Sequence, residues 1–167
     1  MPTLADFSGS DIFIDSNIFI FDATVTGPYE ECEKFLMKIK HGEIIGYTNP
    51  IIIEEVYHKL LILEVCNKYQ IKPFSAVRFI KENPHILAEI DKPGKIIDEI
   101  LDYRGLRVLE IGYHVILEAK KIFNLLLGSD AIHAATCKMY EISDIATNDG
   151  DFKRVDFLKR WEPSPWK

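Results

Sequence analysis

The chain has 167 residues, of which 47% are hydrophobic and 28% charged, a composition typical of one globular domain with a real core. Its net charge of −6 argues against a general nucleic-acid coat protein, but not against a nuclease, because bound cations offset local negative charge. The sequence has no apolar run near ~20 residues, no signal-peptide pattern and three scattered cysteines, so we expect a reduced, cytoplasmic protein without a membrane partner.

The first part of the chain alternates short strands with helices. The hydrophobic patterns predict strands at residues 11–14 and 43–47, and helices at residues 28–39 and 50–69. Asn49 and Pro50 form a strong helix start, with Asn as the cap and Pro at the first helical position. The helix that follows is apolar nearly all round, so we expect it to be deeply buried.

Residues 66 to 94 interrupt this alternation, because three X-Pro and Pro-Gly punctuations leave room only for short helices. A segment of fewer than about 30 residues cannot bury a core alone, which favours a helical insertion within a single domain that spans residues 1 to 167.

Strands and helices alternate again after the insertion. Helices are predicted at residues 95–103, 113–126 and 130–140, and strands at residues 106–111 and 143–147. Ser129 is expected to cap the last of these helices, and Pro163 and Pro165 to mark a loose end. The order of elements predicts an α/β fold: a three-layer sandwich with a short, mostly parallel central sheet flanked by helices.

Four carboxylates lie where apolar, strand-like sequence gives way to a turn or helix: Asp15, Glu55, Asp130 and Asp149. Ligands of open parallel sheets bind beyond the carboxyl ends of the strands, so we expect these acids to meet at one edge. Two unit charges ~4 Å apart repel by about 4 kcal/mol at an effective dielectric near 20, so the acids must protonate, separate or bind cations. Oxygen ligands without a nearby Cys/His cluster favour Mg²⁺ or Mn²⁺, which activate water for displacement at phosphorus.

Several neighbouring side chains are candidates for supporting roles. Asn17 and Thr147 are expected to orient a carboxylate or a water, and Asp151 is a substitute or supporting acid for Asp149. Glu54 precedes Glu55, so the identity of the helical acid is ambiguous by about 100° of rotation.

Histidines and basic residues near the acids have ordinary structural interpretations. His58 and His133 each lie three residues beyond a proposed ligand, and a structural or peripheral role is favoured for both. A basic and aromatic cluster near the C-terminus could track an RNA backbone, but a solvated face over an apolar anchor is favoured; it comprises Lys153, Arg154, Phe157, Lys159, Arg160 and Trp161.

Four segments resemble, in order, the acidic motifs of the PIN-domain family, which includes VapC-type toxins. They are Ile-Asp-Ser-Asn at 14–17, Thr-Asn-Pro-Ile-Ile-Ile-Glu-Glu-Val at 48–56, Ser-Asp-Ala-Ile-His-Ala-Ala at 129–135 and Thr-Asn-Asp-Gly-Asp-Phe at 147–152. The resemblance covers most of the chain. It implies a Mg²⁺- or Mn²⁺-dependent endoribonuclease for single-stranded RNA, often homodimeric and often held by a cognate antitoxin protein. It also implies that the four acids are the catalytic metal ligands.

Two other functions remain open at this point. The net acidity and the insertion are compatible with a PIN-fold scaffold or protein-binding module that has lost the chemistry. A phosphatase with Asp15 as covalent nucleophile is less favoured, because that chemistry usually wants a second acid two residues on, where this chain has Asn17.

Overall fold

A five-stranded, all-parallel sheet forms the centre of the protein, in a computed structural model that describes residues 2–164. Its strands are β1 (Asp11–Ile14), β2 (Ile45–Thr48), β3 (Leu106–Val108), β4 (Asp144–Ala146) and β5 (Lys159–Trp161). They are arranged in the order β3-β2-β1-β4-β5. The predicted α/β fold class is confirmed.

Seven α-helices connect and cover the strands. They are α1 (Ser16–Thr24), α2 (Tyr29–His41), α3 (Pro50–Tyr69), α4 (Pro73–Glu82), α5 (Lys92–Leu101), α6 (Tyr113–Lys120) and α7 (Gly128–Met139). Short 3-10 helices occur at Leu4–Asp6, Pro84–Glu89 and Gly150–Arg154. Within residues 2–164, none of the helices is both long and apolar enough to cross a membrane.

Strand β1 lies at the middle of the sheet because every residue after its first is apolar. Ile12, Phe13 and Ile14 are completely buried, as expected for a strand that is covered on both faces. Phe13 pairs with Tyr47 on one side and with Ile145 on the other. The chain therefore builds outward from β1 through β2 to β3, and then returns to place β4 on the opposite side. This reversal creates a crevice beyond the ends of β1 and β4, the usual ligand position in open α/β sheets.

The start of α3 follows its local sequence signals. The Asn49 side chain accepts a hydrogen bond from the Ile52 amide at 3.1 Å, and Pro50 occupies the first helical turn, as predicted. The expectation that α3 is deeply buried is wrong. Its outer face exposes Glu54 and the adjacent residues 57–59, while Ile52 is fully buried against the core.

The sequence patterns did not predict helix α1 or strand β5. Helix α1 begins directly after Asp15, and β5 adds a fifth strand by pairing Lys159 with Asp144. Pro163 is buried rather than part of a loose end, whereas Pro165 lies outside the described residues.

Other predicted boundaries also need correction. Ser129 does not cap α7, because the helix already begins at Gly128 and has no side-chain cap. The predicted strand at 106–111 ends at Val108, and the predicted helix at 113–126 ends at Lys120. The remaining boundaries agree within three residues.

The segment at residues 66 to 94 forms helical structure with its own small hydrophobic cluster. Helix α4 and the following 3-10 helix pack on the second half of α3 through Leu61, Val65, Ala76, Ile86 and Ile90. The helical structure of residues 66 to 94 agrees with the prediction. That the segment is an insertion within a single domain stays a prediction.

Gly46 in β2 is a position where an added side chain would force buried neighbours to shift. A Cβ atom there would lie 2.5 Å from Ile14 Cδ1 and 3.0 Å from Ile39 Cγ2. We expect Gly46→Ala to lower the free energy of unfolding by about 1–3 kcal/mol, the usual cost of overpacking a core. Urea unfolding followed by circular dichroism measures this change.

Gly94→Ala in α5 is the matched control, because a Cβ atom at Gly94 meets nothing within 4 Å. Alanine is the better helix former, so this variant should equal the wild type or gain up to about 1 kcal/mol. Equal stability of Gly46→Ala and wild type would contradict the packing argument.

Candidate metal centre

Asp15 stands at the crevice between β1 and β4 and is held by several hydrogen bonds. Its side chain is 5% exposed and caps α1 by accepting a hydrogen bond from the Ser16 amide at 2.7 Å. Its Oδ2 atom accepts hydrogen bonds from the Thr147 hydroxyl and from Asn17 Nδ2, both at 2.5 Å. One carboxylate oxygen therefore faces donors from β1–α1 and from the end of β4.

Asn17 and Thr147 also fix the loop that carries Asp149. Asn17 Oδ1 accepts a hydrogen bond from the Asn148 amide at 2.9 Å, and Asn17 Nδ2 contacts the Thr147 hydroxyl at 3.2 Å. The Thr147 hydroxyl accepts a further hydrogen bond from the Asp149 amide at 2.9 Å. These contacts suit the supporting roles predicted for Asn17 and Thr147, and those roles stay a prediction.

Asp149 begins the 3-10 helix at Gly150–Arg154. Its Oδ1 accepts a hydrogen bond from the Asp151 amide at 2.8 Å, while the Asp151 carboxylate pairs with Arg154 at 2.9 Å. Asp151 therefore supports Asp149 through its backbone, and its own charge is engaged by Arg154.

Arg160 reaches the same loop from β5. Its Nη1 donates a hydrogen bond to the Asp149 carbonyl at 2.7 Å, and its guanidinium pairs with Glu162. The Arg160 side chain is only 7% exposed, so the expectation of a solvated basic face is wrong for this residue. The sequence did not predict the contact between Arg160 and Asp149, because it depends on β5, a strand that the hydrophobic pattern did not predict.

Glu55, rather than Glu54, lies beside Asp15. Glu54 is exposed, whereas the Glu55 side chain is 29% exposed and approaches buried His133, with 3.5 Å between Oε1 and Nε2. Ligand atoms of Asp15, Glu55 and His133 all lie within 4.8 Å of one another. An acid at the end of β1 and an acid on α3 thus converge, and a histidine from α7 joins them.

Asp130, in the first turn of α7, belongs to the same electrostatic environment. Burial, followed by the charges of Asp149, Asp15 and Glu55, raises the pKa of Asp130 to about 6. The other acids must be close enough to repel an Asp130 carboxylate. Asp130 and Asp149 do not belong to the tightest group of ligand atoms, so their role as metal ligands stays a prediction.

The other two acids respond differently to the same crowding. Burial raises the pKa of Asp15, against the lowering effect of the Thr147 hydrogen bond. Burial also opposes ionisation of Glu55, but the approach of the His133 ring and hydrogen bonds from Ser129 and Ser16 outweigh it, and the pKa of Glu55 is lowered. Glu55 therefore carries its charge readily, while Asp15 and Asp130 ionise more easily when a cation is present.

The donor set suits a hard divalent cation. Asp15 and Glu55 offer carboxylate oxygens within a few ångströms, and no cysteine joins the group of potential ligands found in residues 2–164. Carboxylate oxygens are the ligands that Mg²⁺ and Mn²⁺ prefer. Sequence reasoning undervalued His133, which is 1% exposed and contacts Glu55, whereas His58 is exposed as expected for a peripheral residue.

The raised pKa of Asp130 predicts a measurable cost of folding without metal. Between its unfolded value near 4 and about 6, the folded state binds more protons, so this contribution to stability falls as pH rises through that window. We expect Asp130→Asn to raise the free energy of unfolding of metal-free protein at pH 7 by about 1–2 kcal/mol, after allowance for partial exposure. The difference should disappear below about pH 4.

Urea unfolding in EDTA at pH 4, 5.5 and 7 measures this effect. Asp156→Asn is the matched control, because Asp156 is an exposed acid a few residues beyond the loop that carries Asp149. A loss of stability in Asp130→Asn at pH 7 would contradict the proposed repulsion.

Comparison with known proteins gives the same family as the four motifs. The family model of the PIN domain matches residues 12–158. The chain is 35% identical to Ribonuclease VapC2 of Methanocaldococcus jannaschii over 151 residues, which cover 89% of this chain and 91% of that protein. It is 30% identical to Ribonuclease VapC6 of the same organism over 160 residues, covering 91% and 97%.

A solved structure shares the fold at low sequence identity. The crystal structure of VapBC2 from Rickettsia felis bound to a DNA fragment from their promoter superimposes with a TM-score of 0.54 and 13% identity. The match covers 94% of this chain and 99% of that one. The resemblance inferred from the acidic motifs is confirmed, and the chain belongs to the PIN-domain family.

Proposed function

We propose that this protein is a divalent-metal-dependent endoribonuclease that hydrolyses phosphodiester bonds in RNA. Its catalytic metal ligands are Asp15, Glu55, Asp130 and Asp149, and its cofactor is Mg²⁺ or Mn²⁺. The observation that carries the proposal is the convergence of mutually repelling acids at the sheet crevice of a PIN domain. The names of the two curated relatives, both ribonucleases, support the same reaction.

Neighbouring side chains orient the proposed ligands without a bound cation. Thr147 and Asn17 hold Oδ2 of Asp15, so the carboxylate keeps one orientation. When bound, a Mg²⁺ or Mn²⁺ ion supplies Lewis-acid chemistry, since it makes water more acidic and stabilises negative charge on phosphate oxygens. Without a cation the pKa of Asp130 is raised to about 6, and a bound cation favours its ionised, ligating form.

The contacts of Asp15 disfavour the phosphatase alternative. Its Oδ1 accepts from the Ser16 amide, and its Oδ2 accepts from Asn17 and Thr147. A covalent nucleophile needs an oxygen that can approach the phosphorus atom in line, and this carboxylate is 5% exposed and held in one orientation by these hydrogen bonds.

The partners belong to the same proposal. The curated relatives carry the VapC name of toxin ribonucleases, which supports a toxin role with a cognate antitoxin protein. Single-stranded RNA as substrate, a homodimer and a cytoplasmic location complete the proposal.

A large apolar cavity of about 370 Å³ lies between α1, α3 and α5. None of the four acids lines it, so it is separate from the proposed catalytic site.

Asp15→Asn should abolish metal-dependent cleavage. We expect activity on single-stranded RNA in Mn²⁺ or Mg²⁺ to fall by more than about a hundredfold, because loss of a ligand should exceed the 10–100-fold cost of losing a supporting contact. EDTA should abolish wild-type cleavage, and added Mn²⁺ should restore it. Asp156→Asn is the control, and equal activity of Asp15→Asn and wild type would end the assignment.

The neighbouring glutamates provide a second matched pair. Glu55→Gln should lose cleavage and weaken Mn²⁺ binding by at least about tenfold, whereas Glu54→Gln should behave as wild type because Glu54 is exposed. Isothermal titration with Mn²⁺ and a fluorescent RNA cleavage assay measure the two effects. A wild-type protein that binds no divalent cation at millimolar concentration would instead support the scaffold alternative.

A further inference from the structure

Asn49 is a buried side chain whose amide orientation is fixed by its neighbours. It is completely buried, and its Oδ1 accepts the capping hydrogen bond from the Ile52 amide at 3.1 Å. Its Nδ2 therefore points to the other side, where it lies 3.1 Å from His133 Nδ1 and 3.2 Å from the Thr136 hydroxyl. Thr136 uses its own hydrogen to donate to the Ile132 carbonyl at 2.7 Å, so it accepts from Asn49.

The orientation of Asn49 determines the tautomer of His133. An amide nitrogen has hydrogens and no lone pair to offer, so His133 Nδ1 must be the acceptor in this contact. In a neutral imidazole the proton then sits on Nε2. This Nε2 atom is buried, has no other hydrogen-bond partner among the described residues, and lies 3.5 Å from Glu55 Oε1.

We infer that His133 is a positioning residue for Glu55 and not a metal ligand. A ligand nitrogen needs a free lone pair, and the tautomer imposed by Asn49 places a hydrogen on the only ring nitrogen that faces the acids. That hydrogen points toward the Glu55 carboxylate. The part of this inference that concerns the cation rests on the proposed function, whereas the tautomer rests on the hydrogen bonds alone.

The distance between His133 and Glu55 is compatible with a positioning role. At 3.5 Å it is longer than a well-formed N–H···O bond, so a small movement of the half-buried Glu55 side chain completes the contact. A carboxylate has about four lone-pair sites, so accepting one hydrogen bond from His133 leaves sites free for a cation. His133 cannot follow this movement, because its ring is 1% exposed and is held by Asn49.

The tautomer is tested directly in metal-free protein. Nitrogen-15 NMR of histidine-labelled protein should show His133 with a hydrogen on Nε2 and a bare Nδ1. In Asn49→Asp, the new carboxylate still accepts from Ile52 but also requires a donor from the ring, so the proton should appear on Nδ1. A wild-type His133 with a hydrogen on Nδ1, alone or together with one on Nε2, overturns the inference.

The role toward the cation is tested with Mn²⁺ and needs no activity assay. Pulsed electron paramagnetic resonance of Mn²⁺-loaded wild type should show no directly coordinated imidazole nitrogen, and a directly coordinated nitrogen overturns the inference. Absence of any Mn²⁺ binding by wild type would refute the proposed function, yet the NMR result would still decide the tautomer.

Two substitutions separate positioning from simple packing. His133→Gln keeps a side-chain N–H donor and should retain Mn²⁺ affinity within about threefold, whereas His133→Leu keeps the bulk and should lose about tenfold or more. His58→Leu is the control at an exposed histidine on α3 and should bind Mn²⁺ as wild type does. Equal loss of affinity in His133→Gln and His133→Leu, with equal free energies of unfolding, contradicts a donor role.

Discussion

The hydrogen bond from the Thr147 hydroxyl to Asp15 joins the ends of β1 and β4. These are the two strands at which the order of strand addition reverses from one side of the sheet to the other. Both groups are buried, so the bond is made away from competing water and its loss would leave a buried carboxylate without a strong donor. Asn17 reinforces it from the first turn of α1 and also binds the backbone of the following loop. The position of Asp149 therefore depends on the same few atoms that orient Asp15.

This arrangement concentrates negative charge on buried and half-buried acids, where burial opposes ionisation. Burial raises the pKa of Asp15 and that of Asp130, the latter to about 6, so both ionise less readily than an exposed aspartate in the absence of a cation. Among residues 2–164, no ion pair joins a lysine or arginine to the carboxylate of Asp15, Glu55 or Asp130. Arg160 instead binds the Asp149 backbone, where it stabilises the loop while its charge is shared with Glu162. The acids thus stay available for an external cation.

Local signals accounted for the parts of the structure that depend on neighbouring residues. Asn49 and Pro50 specified the start of α3, and the apolar Ile-Phe-Ile run specified the central strand β1. Strand β5 has only three residues, and its conformation comes from pairing with β4, which no local pattern records. Helix α1 was missed because its short apolar run, Ile18 to Phe21, does not distinguish a buried helix from a strand.

The features of the site also divide into those that local sequence predicts and those that depend on distant contacts. Convergence of acids followed from strand ends and helix starts, which are local features placed together by a parallel sheet. The contacts that orient them are distant in sequence: Asn17 with Thr147 spans 130 residues, and Asn49 with His133 spans 84. No spacing rule predicts such pairs, so a histidine three residues beyond Asp130 carried no visible sign of its contact with Glu55.

Two separate hydrogen-bond systems therefore meet at the acids. One runs through Asn17, Thr147 and the Asp149 loop to Asp15, and the other runs from Asn49 to His133, whose Nε2 atom lies 3.5 Å from Glu55 Oε1. Asp15 and Glu55 face each other across these two systems with like charge. A cation between them would turn the repulsion into attraction, and would connect the β2–α3 side of the sheet to the β4 side through the site itself.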